Sequence, residues 1–269
     1  MKTLCEDLRN EQQALDDIIA EIADADWEKD TPAKGWAIRD QIAHLAFFDE
    51  KAKKTIIDPE GFKAELEEMM RNPQKFLDVM NKPAMSRTVP ELKAWWRKER
   101  WDLVEALLPL DPRERVAWYG PPMSARSHAT ARMMETWAHG QDVADALGVK
   151  RPATDRLKHI AHLGYTTFKW SFVNHRMAVS DEQVRLELVS PSGELWTWGP
   201  DSSENLIKGP CEDFCLVVIQ RRNVADTRLS VTGKTAGKWM SIAQCFAGPG
   251  TMGPDPGKFP LGSFSDGSC

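Results

Sequence analysis

The chain has 269 residues and a formal net charge of −5, and its Lys and Arg residues are scattered, which excludes the basic field that nucleic acids need. No run approaches the roughly 18 apolar residues of a membrane span, and the charged start of the chain does not fit a signal peptide. These features predict a soluble, cytoplasmic protein of two domains. We expect a monomer or homodimer whose partner is a small-molecule substrate, with no nucleic acid and no membrane.

Apolar residues at three- and four-residue steps predict long amphipathic helices in the first half of the chain. Thr88 and Glu91 form a capping box that starts one of them, and Ser124 is an N-cap for another, which stops at Gly148. The predicted helices cover about residues 3–25, 37–54, 88–108 and 124–147. Together they predict a four-helix bundle over residues 1–150.

A connector of different character, residues 55–87, separates the second and third of these helices. Asp58-Pro59-Glu60 is a helix start, and Asn72-Pro73 interrupts the pattern. The connector is interpreted either as short helices that cover a cleft or as a solvated connection. Its methionines suit an adaptable apolar wall, namely Met69, Met70, Met80 and Met85.

The second half combines helices with short strands and predicts a small α+β domain over residues 151–250. The predicted elements are a helix from Thr154, a hairpin of Val184–Val189 with Leu195–Trp198, an apolar helix after Gly209-Pro210, a strand at 228–232 and a helix at 236–246. Residues 251–269 are rich in Gly, Pro and Ser and predict an extended tail. An odd number of cysteines, five, indicates reduced thiols, and Cys211 and Cys215 are expected in the core.

The main candidate for chemistry is a pair of metal-ligating residue types in the last bundle helix. Glu135 and His139 are four residues apart, so their side chains leave the same helix face. Asp142 also lies on that face, where a carboxylate can hold the second imidazole nitrogen. In the second helix His44 lies at the edge of the apolar stripe, with Asp40 one turn before it. Asp40, like Asp142, is a candidate for holding a metal-ligating imidazole through its carboxylate, although both fit exposed helix carboxylates equally well. His44, Glu135 and His139 therefore predict a metal site, whereas His44 alone fits a half-buried histidine bonded to Asp40.

Other histidines form a weaker alternative cluster. His159 and His162 are three residues apart on one predicted helix and His175 follows, but no carboxylate ligand is evident beside them. His128 is expected to be a partly exposed helix residue.

Two segments resemble a known family, the mycothiol-dependent maleylpyruvate isomerases, whose metal-binding domain is a DinB-like four-helix bundle. They are Gly35-Trp36 with Asp40 and His44, and Glu135-x-x-x-His139 followed by Asp142 and Gly148. The stretch Ile207-x-Gly209-Pro210 and the stretch Leu229–Gly233 resemble the family's second, sterol-carrier-protein-2-like domain. The resemblance implies a divalent metal, usually zinc, on His44, Glu135 and His139. It also implies an arginine at the end of the apolar C-terminal helix, Arg221 in preference to Arg222.

A site with three protein ligands leaves a position open for water or substrate, as in catalytic zinc sites. The resemblance implies that this position holds mycothiol, whose thiolate adds to a conjugated double bond in an isomerase, while Arg221 binds a substrate carboxylate. The same site is compatible with thiol transfer to an electrophile, or with water activation by a hydrolase or lyase. The alternative outside catalysis is a metalloprotein that binds a small ligand.

Overall fold

The computed structural model describes residues 1–72 and 86–259, so Met80, Met85 and the end of the predicted tail lie outside the described residues. Contacts divide the chain into two compact units, Met1–Val149 and a second unit that begins at Lys150. The first is a helical bundle and the second is a small α+β unit, which confirms the predicted fold class.

The N-terminal unit contains five helices and one short hairpin in its described residues. They are α1 (Lys2–Ala20), α2 (Ile38–Ile57), α3 (Pro59–Arg71), α4 (Val89–Leu107), β1 (Arg115–Val116), β2 (Met123–Ser124) and α5 (Ala125–Leu147), with a 3-10 turn at Asp24–Glu28. The long helices α1, α2, α4 and α5 pack against one another as the predicted bundle. The connector contributes α3, and within it Met70 is 64% exposed, so this methionine does not form an apolar wall.

Local signals fix the ends of these helices. The Asp58 carboxylate accepts a hydrogen bond from the backbone N–H of Gly61 at 3.0 Å and so caps α3. The backbone N–H of Thr88 donates to Glu91 at 2.8 Å, which confirms the predicted capping box of α4. α5 ends where Gly148 adopts a φ of 68°, a conformation that favours glycine.

The core of the bundle consists of the apolar stripes of the four long helices. Leu15 and Ile19 of α1 pack with Ile42 of α2 and Trp96 of α4, and all are fully buried. Each such side chain contributes roughly 1.5–3 kcal/mol of burial free energy. α1 ends five residues before the predicted boundary because the chain turns there and places Trp27 in this core.

The second unit packs short helices around one four-stranded sheet. Its elements are α6 (Leu157–Thr166), α7 (Phe168–Asn174), β3 (Val184–Val189), β4 (Leu195–Trp198), β5 (Asn205–Pro210), α8 (Cys211–Val218), β6 (Ser230–Thr232) and α9 (Lys234–Ile242). The strand order is β4-β3-β5-β6, and β5 lies parallel to β3 with Leu186 opposite Ile207. The predicted hairpin of β3 and β4 is confirmed, with Leu188 opposite Trp196.

One strand and one helix end of this unit differ from the prediction, whereas the two cysteines agree with it. Strand β5 was not predicted, and α9 ends at Ile242 instead of residue 246. The described part of the tail is fastened to the unit, because the Asn223 side chain donates to the Pro254 carbonyl at 3.0 Å. Cys211 and Cys215 are buried free thiols with their Sγ atoms 3.9 Å apart, as expected of core residues.

Among the helices of residues 1–72 and 86–259, none combines the length and the apolar composition that a membrane span requires.

Candidate metal centre

A tight loop, residues 30–37, precedes α2 and forms one side of the site. Asp30 and Ala37 form an isolated antiparallel bridge, and the Thr31 N–H donates to the Trp36 carbonyl at 2.8 Å. Gly35 closes this turn with a φ of 79°, where a side chain would strain the backbone. The Asp40 carboxylate then accepts from the Ala37 N–H at 2.8 Å and caps α2. The loop therefore fixes Thr31 and Trp36 relative to the first turn of α2.

Three potential metal ligands meet between α2 and α5. His44 extends from α2, while Glu135 and His139 extend from α5, one helical turn apart. Their ligand atoms all lie within 4.8 Å of one another. Oε2 of Glu135 is 3.5 Å from Nε2 of His44 and 3.2 Å from Nε2 of His139. The structure therefore brings together the three residues that the sequence analysis selected.

The carboxylate of this cluster is held in its charged form. Burial raises the pKa of Glu135, but hydrogen bonds and electrostatic attraction from His139 and His44 outweigh it and place that pKa well below its usual value. A charged oxygen thus faces two imidazole nitrogens, a donor arrangement that suits a cation.

Gln41 contacts Nδ1 of His139, the ring nitrogen for which Asp142 was the predicted candidate partner. Oε1 of Gln41 lies 2.5 Å from Nδ1 of His139, and Nε2 of Gln41 donates to Oγ1 of Thr31 at 2.7 Å. Asp142 is 1% exposed, and its role in holding an imidazole nitrogen of His139 stays a prediction. The signal for Gln41 was present, because a glutamine stands on the apolar stripe between Ile38 and Leu45.

Asp40 lies at the start of α2, and its role in supporting a metal ligand stays a prediction. Its carboxylate caps α2, and Nδ1 of His44 is buried with no hydrogen-bond partner among the described residues. The interpretation of His44 as a histidine bonded to Asp40 is therefore wrong.

The donor set fits a divalent metal ion such as zinc. Two imidazole nitrogens and one carboxylate oxygen are ligands that zinc accepts, and three protein ligands leave a position for a further group. Both ring nitrogens of His139 face oxygen atoms that accept, Gln41 Oε1 and Glu135 Oε2. Only a second proton or a cation at Nε2 makes both contacts favourable. A metal ion satisfies this requirement and also brings His44 into the set.

Aromatic rings surround the cluster within the N-terminal unit. The Trp36 ring stacks on His139 at 5.8 Å, and the Phe48 ring lies 4.6 Å from His44. Phe48 in turn contacts Trp118 at 6.2 Å and Tyr119 at 5.9 Å. These rings were not predicted at the site, because Trp118 and Tyr119 belong to the loop between β1 and β2, far from His44 in the chain. Their apolar surfaces strengthen electrostatic interactions at the ligand set.

The other predicted residues belong to the second unit. Arg221 follows α8 in the second unit, where its Nη1 donates to the Ile219 carbonyl at 2.7 Å; its substrate-binding role stays a prediction. Arg222 is 5% exposed. His162 accepts a hydrogen bond from the Trp198 indole at 3.2 Å, and His159, His162 and His175 form no ligand cluster among the described residues.

His128 was expected to be partly exposed, which is wrong. It is 1% exposed because the Trp118 ring covers it edge-on at 4.9 Å. Burial, and then the positive charge of Arg132, lower the pKa of His128 from 6.5 to about 4.

Fold and site thus define a helical bundle with a cluster of two imidazoles and one carboxylate, followed by a small α+β unit. The family model of the mycothiol maleylpyruvate isomerase N-terminal domain matches residues 8–144, and the chain belongs to this family. The predicted resemblance is therefore confirmed.

Two relatives come from strains of Mycobacterium tuberculosis, described as the uncharacterized proteins MT0041 and Rv0036c. Each is 44% identical over 243 residues, which cover 90% of this chain and 95% of the relative.

Among solved structures, the chain is similar to the mycothiol-dependent maleylpyruvate isomerase and to a mutant of it in which a histidine is replaced by alanine. Each match has a TM-score of 0.55 at 14% identity and covers 87% of this chain and 93% of the other. At this identity the likeness shows the shared fold.

Proposed function

We propose that His44, Glu135 and His139 hold one divalent metal ion, zinc in the first instance, and that the chain is an enzyme that uses a low-molecular-weight thiol. Mycothiol is the proposed thiol, and the proposed reaction is isomerisation of, or thiol transfer to, a small unsaturated or electrophilic substrate. The observation that carries the proposal is the meeting of three ligand atoms within 4.8 Å between two packed helices. The family match supports the choice of thiol.

A bound zinc ion would supply an open position at which the pKa of a thiol falls below its free value of about 8.5. In the metal-bound form the ligand set would contribute one negative charge, from Glu135, because a metal-bound imidazole is neutral. This balance leaves a net positive charge with a divalent ion, which favours an anionic thiolate over a neutral thiol.

The residues around the ligand set have separate tasks in this proposal. The rings of Trp36 and Phe48 cover His139 and His44 on their apolar sides and limit water there. These rings favour a substrate with an apolar portion. Arg221 is proposed to bind a substrate carboxylate through its guanidinium, on the strength of the family resemblance.

Thiol-dependent turnover tests the proposal. Zinc-loaded protein is incubated with maleylpyruvate or a simple aromatic electrophile, with and without mycothiol, and the products are followed by absorbance and mass spectrometry. We expect turnover only when both zinc and mycothiol are present. We also expect its loss in Glu135→Ala, whereas the control His162→Ala keeps it, because His162 contacts Trp198 in the second unit.

Two outcomes contradict parts of the proposal. Zinc-dependent turnover that is the same without any thiol replaces the thiol mechanism with water activation. Zinc binding without turnover of any substrate, together with tight binding of a small molecule, assigns the protein to ligand-binding metalloproteins instead.

A further inference from the structure

A continuous chain of hydrogen bonds connects His139 to the loop in front of α2. Gln41 is fully buried and joins Nδ1 of His139 to the hydroxyl of Thr31, itself 9% exposed. That hydroxyl lies 2.8 Å from the Trp36 carbonyl. Each polar group in this chain is thus partnered inside the bundle, as buried polar groups require.

The donor and acceptor of each hydrogen bond in this series follow from the chemistry at Thr31. Its single hydroxyl proton points to a backbone carbonyl, that of Trp36 at 2.8 Å or that of Ala33 at 3.5 Å. Oγ1 of Thr31 therefore accepts, and the group that donates to it is the NH2 of Gln41. The amide of Gln41 is fixed in this orientation, so its carbonyl oxygen faces His139.

An amide oxygen accepts hydrogen bonds and cannot donate them, so Nδ1 of His139 carries the proton. In the neutral imidazole the other nitrogen, Nε2, then presents its lone pair. Nε2 is the atom that lies 3.2 Å from Oε2 of Glu135. Nε2 is thereby the nitrogen that faces the cluster, where a second proton or a metal ion makes its contact with Glu135 favourable.

The same loop also constrains the plane of the ring. The Trp36 indole stacks on the His139 imidazole with an interplanar angle of 16°, and the carbonyl of the same tryptophan ends the hydrogen-bond chain. One short turn, closed by Gly35, thus controls both the tautomer and the orientation of His139.

We infer that Gln41, anchored by Thr31, is a positioning residue that prepares His139 as a metal ligand. It holds the imidazole with Nδ1 protonated and Nε2 available. This inference rests on the proposed metal site. It names the side-chain amide of Gln41 as the group that holds Nδ1, the ring nitrogen of His139 that does not face the metal. Loss of such an outer contact weakens metal binding by about 10- to 100-fold.

Zinc affinity measured by competition with a chromophoric chelator tests the inference. Gln41→Leu keeps the size of the side chain and removes the acceptor, so we expect zinc to bind about 10- to 100-fold more weakly than to wild type. Gln41→Glu restores an acceptor and is expected to bind zinc at least as tightly as wild type. Thr31→Val releases the amide and is expected to give a smaller loss than Gln41→Leu.

The matched control is Gln12→Leu, which removes another buried glutamine, in α1, that is 2% exposed. It is expected to bind zinc as wild type does. Equal affinity in Gln41→Leu and wild type, or an equal loss in Gln41→Glu and Gln41→Leu, would overturn the inference.

The tautomer is read separately in the metal-free protein from long-range ¹H–¹⁵N spectra of the histidine side chains. We expect Nδ1 of wild-type His139 to carry a proton, and Gln41→Leu to lose this fixed protonation of Nδ1. A wild-type His139 without a proton on Nδ1 would contradict the inference. If wild type does not bind zinc, the proposed function fails. If wild type binds zinc and Gln41→Leu binds it equally tightly, only the inference about Gln41 fails.

Discussion

Arg132 of α5 and Asp49 of α2 form an ion pair that is closed off from water. Nε of Arg132 lies 2.9 Å from Oδ1 of Asp49, and the two residues are 3% and 0% exposed. The pair joins the two helices that carry the candidate ligands, three residues before Glu135 and five after His44. Replacing Arg132 with methionine removes one charge and leaves the other buried.

Removing one partner of such a pair costs about 3–5 kcal/mol, because the remaining charge keeps its desolvation penalty without the attraction. Domains of this size have unfolding free energies of about 5–15 kcal/mol, so the loss is a large fraction of the total. The double variant Asp49→Leu with Arg132→Met removes both charges and is expected to recover most of the loss. Urea unfolding followed by circular dichroism, analysed as a double-mutant cycle, measures these free energies.

Arg113→Met is the control, since Arg113 pairs with Asp111 on the surface at 3.7 Å and is 93% exposed as a side chain. Exposed pairs contribute at most about 1 kcal/mol, so this variant is expected to resemble wild type. The reasoning is refuted if Arg132→Met is as stable as Arg113→Met, or if the double variant is as unstable as Arg132→Met alone.

Two further predictions concern pH and metal. Because the pKa of His128 falls from 6.5 to about 4 in the folded protein, the unfolded chain binds this proton first as the pH falls. The contribution of neutral His128 to the free energy of unfolding is thus fully present above pH 6.5. About 3 kcal/mol of it is lost as the pH falls from 6.5 to about 4. His128→Phe is expected to flatten that part of the pH profile of unfolding, and an unchanged slope contradicts the assignment. Zinc at a hundredfold excess over its Kd is expected to raise the unfolding free energy by about 2.7 kcal/mol in wild type. In thermal scans this stabilisation disappears in His139→Ala, and its persistence there argues for zinc bound elsewhere.

The features that the sequence predicted are those with local causes. The capping box at Thr88 and the stop at Gly148 depend on residues within one turn, so the helix ends were predicted within a few residues. Glu135 and His139 are likewise one turn apart. His44 was linked to them by its place on the apolar edge of another helix and by the family resemblance.

The features that the sequence missed depend on contacts between distant segments. Gln41 and His139 are 98 residues apart, and their hydrogen bond exists only because α2 packs on α5. Trp118 buries His128 from the hairpin loop, a contact that helix periodicity does not reveal. Strand β5 pairs in parallel with β3, and its closing Gly209-Pro210 resembled a helix start more than a strand end.

The most direct test of the central claim is the zinc content of the purified protein beside its ligand variants. Wild type, His44→Ala, Glu135→Ala and His139→Ala are dialysed against the same zinc buffer and analysed by plasma mass spectrometry, with His162→Ala as the control. We predict about one zinc per chain in wild type and His162→Ala, with a marked loss in each of the three ligand variants. Full zinc retention in all three ligand variants would contradict the assignment of the site.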